Sequence, residues 1–383
     1  MTIANGFEGP REYTRARAVI QVGPGPDSPG GMASVIEELL RLELVNYKLT
    51  AAPTWGRHTG VASLLTAGHT AIRLVLGRRH WDIAHVHVSE YGSFFREGAI
   101  LLLCKLIRKP VVITLHGAQL FEHAKRFPRL TKIIFRSADH IFCLGKKQQA
   151  LVNRISPAVS TSIIMNPISD KYLIGEGELH SGALNTPTYC FAGEVGYRKG
   201  FDRLIAAWEH VIQARPDASL LVAGPLADGF QVAELSGVNY LGILSRADVQ
   251  LMYRRCLISV LPSRAEVLPM TVLESLASGT PALLTKVGEW ENFKDCPSVQ
   301  LLNAAEVTEC DLIRDLAQSL LRAATPGDDD VGGGSVATRW VQEHAGAAVV
   351  ASDLKAVYDQ LPKTERKTRY LNRCGLLRRQ GSA

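Results

Sequence analysis

Apolar runs of five or six residues recur along this chain, and most are followed by a segment whose apolar residues return every three to four positions. In the front half the runs stand at 18–22, 83–88, 111–115, 140–144 and 161–165, with a helical pattern such as Met32, Val35, Ile36, Leu39, Leu40 and Leu44 after the first. The alternation lapses across 166–187, where Pro, Gly, Ser, Asn and charges collect, and resumes with runs at 188–193, 219–224, 257–262 and 281–285. Helical patterns fill 201–214, 245–254 and 271–278. Short apolar runs alternating with amphipathic helices imply βαβ units and buried parallel sheets. The chain thus reads as α/β, in two halves of similar construction. The expected parts are a polar arm at 1–17, a first domain at 18–165, a linker at 166–187, a second domain at 188–345, and a helix with a basic tail at 346–383. A glycine- and aspartate-rich loop is expected at 325–335, and one amphipathic helix from there to about Leu361.

A length of 383 residues exceeds what one core holds and suits two domains. No apolar run is long enough to span a bilayer, and the polar start lacks a secretory signal. The seven cysteines are scattered without a CxxC pair, which fits reduced thiols in a cytoplasmic protein and neither a disulfide frame nor a zinc site. Residues 1–165 hold 21 Lys/Arg against 11 Asp/Glu, whereas the remainder holds 22 against 26. A basic front half suits an anionic membrane or acceptor, and suits equally a solvated charged surface. The basic residues come without a nucleic-acid motif, so no nucleic-acid partner is expected.

Four segments carry candidate chemistry. Gly23-Pro24-Gly25 leads through Asp27 to Gly30-Gly31-Met32, between a strand and a helix, where backbone N–H groups favour an anion. It lacks the GxGxxG spacing and the later acid of a dinucleotide site, and reads equally as a flexible turn. His116 ends the run 111–115, at the strand end that faces the crevice of a parallel sheet. His85 and His87 alternate along another run and share one face, either lining the crevice or bonded within ordinary structure. No third ligand stands at a metal-binding spacing, so no metal is expected. Gly193 to Gly200 sets Arg198 and Lys199 in a glycine-rich turn suited to a diphosphate. Finally, Glu266 and Glu274 lie eight positions apart, one in a loop and one in the helix after it. Glu274 suits bidentate contact with ribose hydroxyls, and the loop backbone of Val267, Leu268, Pro269, Met270 and Thr271 is expected to face whatever Glu266 faces.

Together these segments resemble family 4 of the GT-B glycosyltransferases, from Gly23 to about Leu361, which implies two Rossmann-like domains with parallel sheets facing across a cleft. The most specific stretch is LPSRAEVLPMTVLESLASGTPALLT, similar to that family's E-x7-E signature with Glu266 and Glu274 as its acids. Gly30-Gly31 is similar to its glycine loop, His116 to its histidine near the donor sugar, Lys199-Gly200 to its phosphate-binding pair, and Asn166-Pro167-Ile168 to its domain-joining segment. The family's arginine after Gly193 is replaced by Glu194, with Arg198 and Arg264 as the cations at hand, and Val267 stands where glycine is common.

The resemblance implies a retaining, metal-independent hexosyltransferase with His116, Glu266 and Lys199 in catalysis. Gly30, Gly31, Arg198, Lys199, the loop 266–271 and Glu274 would hold a nucleoside-diphosphate sugar as donor substrate, with no further cofactor. Expected partners are that donor, a glycan or lipid-linked acceptor in cell-surface polysaccharide synthesis, and an anionic membrane met peripherally on its cytoplasmic face. The alternatives are a GT-B protein that binds a nucleotide sugar or a partner without turnover, and a nucleotide-sugar epimerase. Membrane docking is expected of the front domain through 101–109 and 125–136, although 100–107 reads rather as a core helix than as a docking segment.

Overall fold

A computed structural model describes residues 15–25, 28, 30–56, 61–173, 186–232, 234–324 and 334–363. Asp27, most of the N-terminal arm, much of the linker, most of the 325–335 loop and the basic tail beyond Lys363 lie outside the described residues. The first sheet comprises β1 (Arg17–Pro24), β2 (Tyr47–Trp55), β3 (Ile83–Val88), β4 (Val111–Leu115), β5 (His140–Cys143) and β6 (Ser160–Ile163). Its helices are α1 (Gly31–Arg41), α2 (Val61–Leu76), α3 (Gly92–Leu106), α4 (Leu120–Arg126), α5 (Pro128–Ser137) and α6 (Lys146–Ile155). The second sheet holds β7 (Thr188–Ala192), β8 (Ser219–Ala223), β9 (Val238–Gly242), β10 (Ile258–Leu261), β11 (Ala282–Thr285) and β12 (Val299–Leu302). With it go α7 (Phe201–Ala214), α8 (Arg246–Arg254), α9 (Met270–Ala277), α10 (Glu309–Ala323), α11 (Gly334–Ala345) and α12 (Ala347–Gln360).

Both sheets are parallel throughout, in the orders β2-β1-β3-β4-β5-β6 and β12-β11-β10-β7-β8-β9. The second order is that of a dinucleotide-binding sheet, reversing direction between β7 and β10; the first reverses between β1 and β3. Ligands of such sheets sit beyond the carboxyl ends of the strands flanking the reversal. All four flanking strands were legible as apolar runs, because a strand covered on both faces alternates nothing.

Residue parity sorts the first domain into two layers. Ile20, Val22, Val86, Ile113 and Ile141 face α2, α3, α5 and α6. Gln21, His85, His87 and Thr114 face the other way, toward α1 and α12, where Tyr358 of α12 bonds His85. His85 and His87 do share a face, with ring centroids 4.6 Å apart.

Two expectations are corrected. The strands β2, β9 and β12 were not anticipated, and all three are sheet edges. An edge strand has one neighbour and more solvent, so it needs no continuous apolar run; β2 even carries Pro53. The single helix expected up to Leu361 is two helices, α11 and α12, broken at Gly346. A Cβ on Gly346 would lie 2.5 Å from the Gln342 carbonyl oxygen. The break re-aims the chain: α11 packs on α9 of the second domain, whereas α12 returns to the first. There Arg17 donates to the Tyr358 carbonyl at 2.8 Å and Tyr47 donates to Asp359 at 2.7 Å. Where α12 sets out, Ile168 bridges Gly346 and donates its N–H to the Ala345 carbonyl at 2.9 Å. The chain therefore passes between the domains twice, side by side.

Candidate active site

The loops after β7, β10 and β11 meet because two glycines allow it. Gly200 caps α7 in the left-handed region (φ 72°), and a Cβ there would stand 1.9 Å from the Pro262 carbonyl oxygen. That approach sets Lys199 Nζ 2.5 Å from Glu266 Oε1, which also accepts from Ser263 Oγ at 3.0 Å. On the far side, Gly288 (φ 61°) brings the turn after β11 against the Glu266 carbonyl, where a Cβ would lie 2.0 Å from its oxygen.

Beneath the loop, buried Arg203 donates to the carbonyls of Pro262 and Ser263 and pairs with Glu309 at 2.7 Å. Arg264 joins Glu309 and Asp202, at 2.5 and 2.7 Å. Arg264 is thus committed to bracing the loop. Arg198 lies 3.4 Å from Glu194, which thus has its own counter-ion.

Glu274 sits one turn into α9, between the domains. Burial pushes its carboxyl up to about 7; Arg246 and Lys199 pull it back and Glu38 raises it. Arg246 of α8 crosses to Glu37 and Glu38 of α1, 2.6 Å from each. The helix after the glycine loop is thereby tied to the helix bearing Glu274's surroundings. At the loop itself, Gly30 has φ 105°, and neither it nor Gly31 has an atom within 4 Å of where a Cβ would stand. The backbone there is open to close approach.

His116 ends a buried chain of neutral groups. Gln21 Oε1 lies 2.8 Å from His87 Nε2, so that nitrogen carries the proton and His87 Nδ1 is an acceptor. His116 Nε2–H then donates to it at 3.0 Å, which leaves His116 Nδ1 unprotonated and bonded to no described residue. Burial pushes His116 down to about 3, and His87 well below the ordinary range, so both stay neutral at physiological pH.

The domains frame a cavity of about 480 Å³. Tyr91, Gly117, Phe121 and Gln148 line it from the first domain; Arg264, Glu266, Val267 and Glu289 line it from the second. Across it, the Glu289 carboxylate accepts from the N–H groups of Lys147 and Gln148, at 3.0 and 2.7 Å, capping α6 from the opposite domain. Asn166 donates to the Leu268 carbonyl at 3.0 Å, holding the linker's start against the 266–271 loop.

The fold thus gathers Arg198, Lys199 and the 266–271 loop at one sheet's reversal, with Glu274 in the helix behind, and sets His116 on the other sheet. Sequence reading missed Arg203, Arg246, Glu38 and Glu289. Arg246 meets Glu38 across 208 positions, a separation that no local spacing signals.

Comparison with known proteins agrees with this architecture. Residues 181–291 match the family model described as Glycosyl transferases group 1, a segment that spans β7 to the turn after β11. An uncharacterized glycosyltransferase of Methanocaldococcus jannaschii is 26% identical over 255 residues, 64% of this chain and 67% of that one. The glycogen synthase of Mycobacterium tuberculosis is 21% identical over 254 residues, 60% of this chain and 59% of its own. Among solved structures, sucrose-phosphate synthase from Thermosynechococcus elongatus superposes with a TM-score of 0.66 at 14% identity, over 90% of this chain and 98% of that one. Anabaena Alr3699/HepE in complex with UDP-glucose superposes with a TM-score of 0.67 at 14% identity, over 90% and 100%. The fold is GT-B, and the family model's match falls almost wholly in the second domain.

Proposed function

We propose that this chain is a retaining, metal-independent hexosyltransferase that moves a sugar from a nucleoside-diphosphate donor to a glycan or lipid-linked acceptor in cell-surface polysaccharide synthesis. The observation that carries this reading is the meeting of Lys199 and Glu266 at the reversal of the second sheet, with Glu274 in the helix that follows. Glu274 accepts from both ribose hydroxyls. Lys199, with Arg198, turns from its present carboxylate partners to the diphosphate and offsets the charge that grows as the leaving group departs. Glu266 and the amides of the 266–271 loop hold sugar hydroxyls, the glycine loop approaches from the first domain, and His116 Nδ1 accepts from the sugar.

The bond from the anomeric carbon to the phosphate oxygen breaks as the acceptor hydroxyl bonds that carbon on the same face. The acceptor's proton passes to the departing phosphate oxygen, so no protein nucleophile is needed. The closed cleft excludes water that would otherwise hydrolyse the donor. The protein works in the cytoplasm, peripheral to the membrane's inner face.

A thermal-shift panel of UDP, GDP, ADP and dTDP on the wild type and on Glu274→Ala tests the reading. UDP comes first because HepE is described bound to it. At about 100 times its dissociation constant a ligand stabilises by about 2.7 kcal/mol. One nucleotide should shift the wild type and not the variant, and its sugar conjugates should then turn over. If no nucleotide shifts the wild type, the donor reading fails.

A further inference from the structure

We infer that the outer face formed by α2, α3 and α5 seats on an anionic lipid bilayer, with the cleft mouth beside it. The inference rests on the glycosyltransferase reading only for what enters that mouth; the surface itself stands on its own observations.

Helix α2 is built inside out. Its buried side is Ser63, Ala67, Thr70 and Leu74, mostly small or polar. Leu65, Ile72 and Leu76 stack on the opposite side, 70%, 59% and 77% exposed. A helix that keeps its large aliphatic side chains in water while burying small ones has a second apolar partner.

Helix α3, packed between α2 and α5, continues the surface. Tyr91, Phe95, Ala99, Leu102 and Leu106 follow one another at spacings of three and four, and all are exposed. Tyr91 at the start of this stripe lines the cleft cavity. It holds φ 51°, a conformation unusual for tyrosine, while its N–H donates to His123 Nδ1 at 3.2 Å. The apolar stripe therefore runs from the cavity to the far end of α3, about 22 Å away at the helical rise.

The borders of this surface are cationic. Helix α5 exposes Arg129, Lys132 and Arg136 along one stripe with Ile133 among them. Arg73, Arg78 and Arg79 are exposed at the end of α2. Among the described residues none of these six is in an ion pair. Aliphatic side chains flanked by unpaired arginine and lysine match the two attractions of a bilayer interface, insertion between headgroups and neutralisation of anionic lipid. A protein partner would have to offer an equally large apolar face ringed with acid. An acceptor anchored in such a bilayer would lay its apolar tail along α3 and present its head at Tyr91.

The test is co-sedimentation of the full chain with phosphatidylcholine vesicles, with and without phosphatidylglycerol, at low and high salt. The wild type should pellet with the phosphatidylglycerol vesicles and lose part of that binding in high salt. Leu65→Glu with Ile72→Glu should weaken partitioning by at least about tenfold, and so should Arg129→Glu with Arg136→Glu, both pairs keeping the wild-type melting temperature. Hydrogen exchange on the wild type gives a readout free of substitutions: vesicles should protect α2 and α3. UDP binding, measured on the same samples, should be unchanged, so that failure of the donor reading is seen separately. The inference is overturned if the wild type ignores the vesicles. It is overturned equally if the variants pellet like wild type, because binding then lies elsewhere, the basic tail included. A dimer that Ile72→Glu dissociates, without vesicle binding, would show a second copy covering α2.

Discussion

At the scale of single residues, the proposed ribose contact Glu274 sets function against stability. Its carboxyl, raised to about 7 by burial, keeps a proton in the folded chain at pH values where the unfolded chain has lost one. Stability therefore falls as pH rises from the ordinary carboxylate range to about 7. Glu274→Gln should remove that slope and gain about 1–3 kcal/mol at pH 8, with little change at pH 5, while losing nucleotide affinity. Urea melts at the two pH values check this, and equal gains at both would refute it. In the wild type, nucleotide affinity should rise with pH across 7 as the carboxylate forms. The Gln21–His87–His116 chain gives a second prediction. His87→Leu removes the acceptor that holds His116 Nε2–H. Turnover should fall about tenfold or more with UDP affinity kept, and nitrogen NMR should show His116 losing its single tautomer. An unchanged tautomer would mean that His87 only packs.

At the scale of elements, legibility follows burial. The strands flanking the sheet reversals were readable because both faces are covered, and the Glu266 and Glu274 motif because one loop and one helix contain it whole. The edges β2, β9 and β12 were not readable, since an edge strand satisfies its environment with mixed residues. Nor was the break between α11 and α12, since the partners that draw α12 to the first domain lie more than 250 positions earlier. Arg203, Arg246 and Glu289 escaped for the same reason, as each acts on a distant loop or helix. The placement of α12 predicts the effect of Tyr358→Phe. The hydroxyl lies 2.7 Å from His85 Nδ1 in a fully buried setting, and its loss leaves that nitrogen unpaired. A cost of about 1–3 kcal/mol is expected, read as faster hydrogen exchange in β1 and β3 while β7 and β10 stay protected. Loosening confined to the second sheet would place α12 with the other domain.

At the scale of the whole molecule, the cleft is held shut by contacts that need no ligand. Glu289 caps α6 from across the cavity, Asn292 donates to the Leu144 carbonyl at 2.6 Å, and Arg246 bridges to α1. Glu289→Ala should leave the α6 amides uncapped, at about 1–2 kcal/mol, and shift the chain toward an open form. Small-angle scattering should then report a larger radius of gyration, which UDP reverses; an unchanged radius would mean that the remaining contacts suffice. How such opening proceeds follows from the paired crossings at Ile168 and Gly346. A body tethered by one cord can swivel in any direction. Held by two cords fixed side by side, it loses much of its freedom to twist and turns mainly as a door does, about the line through its fastenings. The two halves of the proposed site, His116 on one leaf and Glu266 on the other, would then separate and rejoin along one arc, returning to register each time the door shuts.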